Sequence, residues 1–150
     1  MIIESEKDIF KVKAQALVNP VNTVGVMGKG LALEFKNKFP IMFESYKNAC
    51  LNKTISIGKN HVWENSYNSL PQYIINFPTK IHWKCDSQYE NIDLGLLNLK
   101  LIMMNLHITS MAIPCLGCDL GGLESDVIRE KIKQFFHTEI KKKNIMIFIL

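Results

Sequence analysis

Two glycine-rich loops are the first feature of the sequence that could bind a ligand. The first, residues 19–30, carries Gly25, Gly28 and Gly30 between an apolar run and a helical pattern. Glycine lets the backbone bend sharply and approach a ligand, and the free N–H groups at a helix start favour an anion. The second loop, residues 114–123, also follows an apolar run and precedes a helical pattern. The pair predicts a ligand with more than one anionic or ribose-like part.

The first loop departs from the two common phosphate-binding motifs. Its spacing, G-x-x-G-x-G, is the reverse of the dinucleotide fingerprint. Gly28 and Lys29 are followed by Gly30, where a Walker loop needs the serine or threonine that holds magnesium. We therefore do not expect a magnesium–nucleotide site.

Lys80 is the candidate nucleophile. It follows the apolar run 73–77 and lies beside Pro78, His82 and Trp83. A neutral lysine amine can attack the anomeric carbon or the aldehyde of a sugar. The alternative is an ordinary solvated charge at a strand end, with His82 and Trp83 as packing residues.

Cys115 and Cys118 allow a different chemistry. They match the second half of the zinc deaminase signature, but no histidine that precedes them is followed two residues later by glutamate. With His82 and Cys85 they have the spacing of a structural zinc site. We favour small buried thiols without a metal, because the cysteines of a chain that lacks a signal peptide are typically reduced.

Strands and helices must alternate to position these loops. Apolar runs predict strands at residues 2–3, 16–18, 61–63, 73–77, 111–113 and 145–150. Helices are predicted at 31–39, from Pro40, from a capping box at Ser87 to about Leu106, and from Asp126 to about Ile140. The inward-facing residues of the first, third and fourth helices would be Leu31, Phe35 and Phe39; Leu94, Leu97, Leu101 and Met104; and Ile128, Ile132 and Phe135. This order indicates an α/β layered sheet, which binds ligands at the carboxyl ends of its strands.

Composition bounds the class of protein. The 150 residues are enough for one domain, and 47% hydrophobic with 21% charged residues excludes a disordered chain. Apolar runs such as residues 101–104 are far too short to span a bilayer, and the N-terminus does not resemble a secretion signal. We therefore expect a cytoplasmic location and no membrane partner. The net charge of +4 permits nucleic-acid binding without requiring it.

Taken together, these segments resemble the macrodomain family of ADP-ribose-binding proteins. Residues 8–10, the run 16–22 and the two glycine loops occur in the family's order, across essentially the whole chain. Residues 22–30 and 77–83 are similar, more narrowly, to the DNA ADP-ribosyl glycohydrolase antitoxins of the DarG type. These belong to the same branch as the eukaryotic terminal ADP-ribose protein glycohydrolase. The resemblance implies one domain, residues 1–150, with a three-layer α/β/α fold and a central mixed sheet of about six strands.

The resemblance also implies an activity. Enzymes of this type hydrolyse the N-glycosyl bond between ADP-ribose and a thymidine base of single-stranded DNA, a DNA repair reaction that reverses a DarT-type toxin. They need no metal, and ADP-ribose is the only small ligand. We expect a monomer whose partners are the modified DNA and such a toxin. His82, Trp83 and Lys84 are candidates for a DNA contact, and His82 also for a proton shuttle. The chain could be the N-terminal catalytic part of a longer antitoxin or a short stand-alone version.

The resemblance carries roles onto particular residues. Lys80 corresponds to the catalytic lysine and Asn22 to the asparagine that meets the distal ribose. Asp8, with the Ile9 backbone, matches the adenine-recognising position. The remaining residues expected to bind ADP-ribose lie in the two loops: Thr23, Gly25, Met27, Gly28, Lys29, Gly30, Leu31, Pro114, Leu116, Gly117, Cys118, Asp119, Leu120, Gly121, Gly122 and Leu123.

Three positions depart from the family's pattern. Lys7 and Asp119 stand where glycine is expected, and a carboxylate near a pyrophosphate is repulsive unless it points away. The catalytic acid of the eukaryotic relative falls at Gly121, so that role is not transferred. Two alternatives follow: a non-catalytic ADP-ribose reader, or a hydrolase of protein-linked ADP-ribose or of a phosphorylated ADP-ribose metabolite.

Overall fold

The computed structural model describes residues 1–150 and contains every strand and helix that the sequence predicts. The strands are β1 (Ile2–Glu4), β2 (Ala16–Val21), β3 (His61–Glu64), β4 (Tyr73–Pro78), β5 (Ser110–Ile113) and β6 (Met146–Ile149). The α-helices are α1 (Gly30–Lys38), α2 (Pro40–Leu51), α3 (Tyr89–Asn105) and α4 (Ser125–Lys143), and a 3-10 helix spans Ile9–Lys11.

The strands form one mixed six-stranded sheet in the order β1-β6-β5-β2-β4-β3. All neighbours are parallel except β3, which pairs antiparallel with β4. All six residues of β4 are buried, as expected for a parallel strand covered on both faces. Because β5, β2 and β4 are parallel neighbours, the loops that follow them meet at one edge of the sheet.

Helices cover both faces of this sheet. Successive residues of a strand point to opposite faces, so Val18 packs in the cluster with α3 and α4, and Leu17 in the cluster with α1 and α2. Ile75 and Ile74 of β4 divide in the same way. The expected three-layer α/β/α fold with a mixed sheet is therefore confirmed.

Helix α3 is rotated relative to its predicted orientation. The expected core stripe is exposed: Leu94 to 53%, Leu97 to 52%, Leu101 to 52% and Met104 to 38%. The buried face consists of Ile92, Gly95, Leu96, Leu99 and Met103. The prediction was wrong because α3 is apolar around most of its circumference, so periodicity does not select a face. Even so, no helix of the protein is long and apolar enough to span a bilayer.

Close contact with β4 selects the buried face of α3. A Cβ atom at Gly95 would lie only 2.6 Å from Cε1 of Phe77, and it would overlap the tip of the ring. Glycine at this position lets the helix approach the sheet, and the Phe77 ring fills the space where a side chain would stand.

Two other helix predictions need correction. The capping box at Ser87 is absent, because Gln88 is the N-cap residue of α3 and no side chain caps it. Ser87 is instead buried, and its backbone N–H donates to the carbonyl of Gly121 at 3.0 Å. In α4, Phe136 takes the fully buried place predicted for Phe135, which is only partly buried.

Candidate active site

A cleft of about 570 Å³ lies at the edge of the sheet where the loops after β2, β4 and β5 meet. This volume is in the range of small-molecule sites. The predicted site residues that line it are Asn22, Gly28, Lys29, Gly30, Leu31, Lys80, Trp83, Lys84, Gly117, Cys118, Asp119, Leu120 and Gly121. The two glycine loops and the candidate nucleophile therefore share one cavity.

The other predicted residues lie outside the lining of the cleft: Asp8, Ile9, Thr23, Gly25, Met27, His82, Pro114, Leu116, Gly122 and Leu123. Met27 and Leu116 are buried beneath their loops. The Asp8 carboxylate accepts from the backbone N–H of Phe10 at 3.0 Å and caps the 3-10 helix. Their contacts with ADP-ribose stay predictions.

Six lining residues were not predicted from the sequence: Pro20, Val21, Val26, Ala32, Thr79 and Cys115. Pro20 and Val21 end β2, and Ala32 lies in the first turn of α1. All but Pro20 are adjacent in sequence to a residue that was predicted, so the missed signal was proximity to the predicted residues in the chain.

Asn22 organises the first loop. Its side-chain Nδ2 donates to the carbonyl of Val26 at 2.8 Å. Its Oδ1 accepts from the backbone N–H of Val24 at 3.1 Å and of Val26 at 3.4 Å. The amide therefore closes the turn over residues 22–26 while Asn22 also lines the cleft.

The start of α1 faces the same cavity. Gly30 opens the helix with a left-handed backbone, φ +58°, and Lys29 precedes it as an N-cap residue without a side-chain cap. Gly30, Leu31 and Ala32 all line the cleft. The N–H groups of a first helical turn have no partner within the helix, so this end can bind an anion.

Lys80 lies between the two glycine loops. Its segment is joined to the first loop, because the N–H of Thr79 donates to Val21 and that of Thr23 donates to Ile81, each at 2.9 Å. On the other side, Lys80 Nζ donates to the carbonyl of Leu120 at 3.3 Å. The amine thus reaches across the cleft from the end of β4 to the second loop.

The lining charges favour an anionic ligand. Three lysines, Lys29, Lys80 and Lys84, line the cleft against the single carboxylate of Asp119. Asp119 is exposed at the rim and does not enter the buried part of the loop. Lys84 Nζ lies 5.0 Å from the centre of the Trp83 ring, which is 49% exposed and close to His82.

The second loop is compact around its glycines. Gly117 has φ +75°, and its carbonyl accepts from the N–H of Leu123 at 2.9 Å. A Cβ atom at Gly121 would lie 2.5 Å from the carbonyl oxygen of Gly117 and would overlap Oγ of Ser87. No acidic side chain fits at this position without moving the loop, so the catalytic acid of the eukaryotic relative has no place here.

The cysteines of this loop are not free thiols. Cys115 and Cys118 form a disulfide, whereas Cys50 and Cys85 are free, so the expectation of reduced cysteines was wrong for this pair. No three histidine, cysteine or acidic side chains form a cluster that could hold a metal ion. The zinc site considered for His82, Cys85 and the disulfide pair is therefore not assembled.

A row of buried polar side chains crosses the sheet below the first loop. Asn19 Nδ2 donates to Asn76 Oδ1 at 3.0 Å, and Asn76 Nδ2 lies 3.0 Å from His61 Nδ1. Asn19 also contacts Met27 Sδ at 3.8 Å, which holds the loop to the sheet. Burial lowers the pKa of the His61 imidazole. Sequence reasoning missed this row, because it depends on strand order.

Comparisons with known proteins agree with this architecture. The Macro domain family matches residues 18–132. A DNA ADP-ribosyl glycohydrolase of Mycobacterium tuberculosis is 42% identical over 136 residues, which cover 91% of this chain and 39% of that protein. The chain thus spans well under half the length of this curated relative.

Solved structures show the same likeness. The macrodomain of Mycobacterium tuberculosis DarG is 39% identical with a TM-score of 0.95, over 99% of this chain and 96% of that one. Thermosipho africanus DarTG in complex with ADP-ribose is 32% identical with a TM-score of 0.86, over 99% of this chain and 41% of that one. The chain belongs to the macrodomain family.

Proposed function

We propose that the protein is an ADP-ribosyl glycohydrolase that removes ADP-ribose from thymidine bases of single-stranded DNA. In this role it is an antitoxin that reverses a DarT-type transferase. One observation carries the proposal: a lysine amine, Nζ of Lys80, lies in a cleft formed by two glycine loops. The similarity to named DNA ADP-ribosyl glycohydrolases supports the choice of substrate.

The cleft offers a partner for each part of ADP-ribose. The pyrophosphate can bind the backbone amides of the second loop around Gly117, because consecutive N–H groups in such turns form anion sites. The free N–H groups of α1 and the Lys29 charge add to this attraction. The first loop, with Asn22, would surround the distal ribose, which brings the anomeric carbon towards Lys80.

Lys80 supplies the reaction step. The unprotonated amine forms a C–N bond to the anomeric carbon while the bond to the thymine nitrogen breaks, and the base leaves with that electron pair and takes a proton. Water then hydrolyses the adduct, which releases ADP-ribose and restores the amine. In a variant of this route the amine assists opening of the ribose ring. Holding the amine against the carbon supplies much of the rate through positioning.

The DNA strand would lie along the rim that carries Trp83 and Lys84. The exposed Trp83 ring can stack on a base, and Lys84 can contact a phosphate. His82 lies beside Trp83 and could shuttle a proton to the leaving base. The proposed reaction involves no metal, so EDTA should leave the rate unchanged.

A side-by-side assay tests the substrate. Wild-type protein is incubated with single-stranded DNA carrying ADP-ribosylated thymidine and with peptides carrying ADP-ribosylated glutamate. We expect release of ADP-ribose from the DNA. Release from the peptides alone would assign a protein-directed hydrolase, and ADP-ribose binding without release from either would assign a reader.

The variant Lys80→Ala tests the mechanism. It should bind ADP-ribose in calorimetry but lose at least about 100-fold in turnover of modified DNA, as expected on removal of a nucleophile. Lys141→Ala, at the exposed end of α4, is the matched control and should keep wild-type turnover. Wild-type turnover by Lys80→Ala would remove this amine from the reaction.

A further inference from the structure

We infer that Tyr46 is a positioning residue of this site: its buried hydroxyl holds Asn22 in the orientation that presents an amide N–H to the distal ribose. The inference rests on the proposed function, because it concerns the same ligand. Tyr46 lies on α2, outside the lining of the cleft. It therefore acts through Asn22 and does not contact the ligand.

The contact between the two residues is direct. The Tyr46 hydroxyl lies 2.8 Å from the backbone carbonyl oxygen of Asn22 and 2.9 Å from its side-chain Oδ1. Both atoms are acceptors, so the hydroxyl is the donor in either contact. Tyr46 is fully buried, which keeps water from competing for these bonds. The single hydroxyl hydrogen is shared between these two oxygens, so Tyr46 links the main chain and the side chain of Asn22.

The hydrogen bonds of the Asn22 amide define its direction. Its oxygen faces three donors, the hydroxyl of Tyr46 and the backbone N–H groups of Val24 and Val26. The nitrogen must then point the other way, where one of its hydrogens goes to the Val26 carbonyl. The second hydrogen has no acceptor within the chain. Since Asn22 lines the cleft, this N–H is available to a ribose oxygen.

Tyr46 is suited to act as a permanent donor. Burial is the main cause that raises the pKa of its phenol above the ordinary value of 10, with the neighbouring Cys50 thiol as a smaller cause. The hydroxyl therefore stays protonated at neutral pH. It donates to Asn22 without a change of state during the reaction.

The substitution Tyr46→Phe isolates this role, because it removes one oxygen and keeps the ring. Tyr73→Phe is the matched control. Tyr73 is also buried, but its hydroxyl accepts from Gln72 Nε2 at 3.3 Å, away from the cleft. Four proteins are compared in addition to wild type: Y46F, Y73F, N22A and the double variant N22A/Y46F.

The measurements separate positioning from packing. Calorimetry gives the affinity for ADP-ribose and for ADP, which lacks the distal ribose, and turnover of modified DNA gives kcat/KM. In Y46F we expect both ADP-ribose affinity and kcat/KM to fall about tenfold, the size of one lost hydrogen bond, with ADP affinity unchanged. Y73F should match wild type. N22A/Y46F should be no weaker than N22A, because the ligand-binding amide that Tyr46 orients is absent from both variants.

Three results would overturn the inference. The first is wild-type behaviour of Y46F, and the second is an equal loss of ADP and ADP-ribose affinity, which indicates a general disturbance of the cleft. The third is a further loss on adding Y46F to N22A. If wild-type protein fails to release ADP-ribose from DNA, the proposed function is wrong, and the ratio of the two nucleotide affinities still decides the role of Tyr46.

Discussion

His61 links the stability of the fold to pH. Its Nδ1 faces the donor Nδ2 of Asn76, and its Nε2 lies 3.1 Å from the hydroxyl of Ser45. The ring is therefore neutral with its proton on Nε2. A second proton on Nδ1 would face the N–H of Asn76 and remove this hydrogen bond. Burial lowers the pKa of His61 below its ordinary value of 6.5, in agreement with these contacts.

The sign of the pH effect follows from linkage. At a pH between the lowered pKa of His61 in the folded protein and 6.5, the unfolded chain binds more protons than the folded protein. The free energy of unfolding therefore falls as the solution is acidified through this pH range. Urea unfolding at about pH 7 and about pH 5 should show that the free energy of unfolding falls more for wild type than for His61→Gln, whose side chain does not titrate. Equal losses in the two proteins would mean that His61 does not contribute to acid sensitivity.

At the residue scale, the sequence predicted the groups that line the cleft better than those that support them. Lys80 and the glycines were identified from residue type and position, because nucleophiles and tight turns require particular side chains. The Asn19, Asn76 and His61 row was missed, because its members are far apart in sequence and become neighbours only through strand register. The contact of Tyr46 with Asn22 was missed because it depends on the packing of α2 against the first loop.

At the scale of elements, the contact between α3 and β4 makes Gly95→Ala informative. In a free helix this change is favourable by up to about 1 kcal/mol, because alanine has the higher helix propensity. Here the new methyl group would overlap the ring of Phe77, so we expect a loss of about 1–3 kcal/mol in the free energy of unfolding. Denaturant unfolding followed by circular dichroism measures the change.

The control for this prediction is a smaller side chain at position 77, in contact with residue 95. Gly95→Ala should cost less when it is added to Phe77→Leu than when it is added to wild type, since leucine leaves room for the methyl group. An identical cost in both backgrounds, or a stabilisation by Gly95→Ala alone, would show that the close approach of α3 to β4 is not as described.

The strands and helices themselves were predictable, but the orientation of α3 was not. Each strand contains a short apolar run, and the two glycine loops precede α1 and α4, so local sequence is enough to locate these elements. In α3, Leu94 and Leu97 are as apolar as Leu96 and Leu99, and only the second pair is buried. The choice between the two faces depends on the Phe77 contact, which is tertiary.

At the scale of the whole molecule, the sheet order brings the site together. The loops after β2, β4 and β5 are separated by long stretches of chain, yet their strands are adjacent and parallel. The cleft they form carries three lysines, in a chain with a net charge of +4. These charges would attract a negatively charged strand of DNA to the edge of the sheet where we propose that the nucleotide binds.

This charge distribution predicts a salt dependence. The logarithm of kcat/KM for modified single-stranded DNA should fall linearly with the logarithm of salt concentration, because phosphate contacts release counterions. Lys84→Ala should reduce the slope by about 0.7, the value for one phosphate contact on a single strand. Lys141→Ala, remote from the cleft, should keep the wild-type slope. The same slope for Lys84→Ala and wild type would exclude a phosphate contact of this side chain.

A crystal structure of the protein with ADP-ribose would test the central claim most directly, through the distance from Lys80 Nζ to the anomeric carbon of the distal ribose. In the free protein this amine donates to the Leu120 carbonyl. We predict that in the complex it lies within about 3.5 Å of the anomeric carbon, the range of a productive approach. An amine that points to solvent, with the distal ribose bound out of its reach, would contradict the account and leave a protein that only binds ADP-ribose.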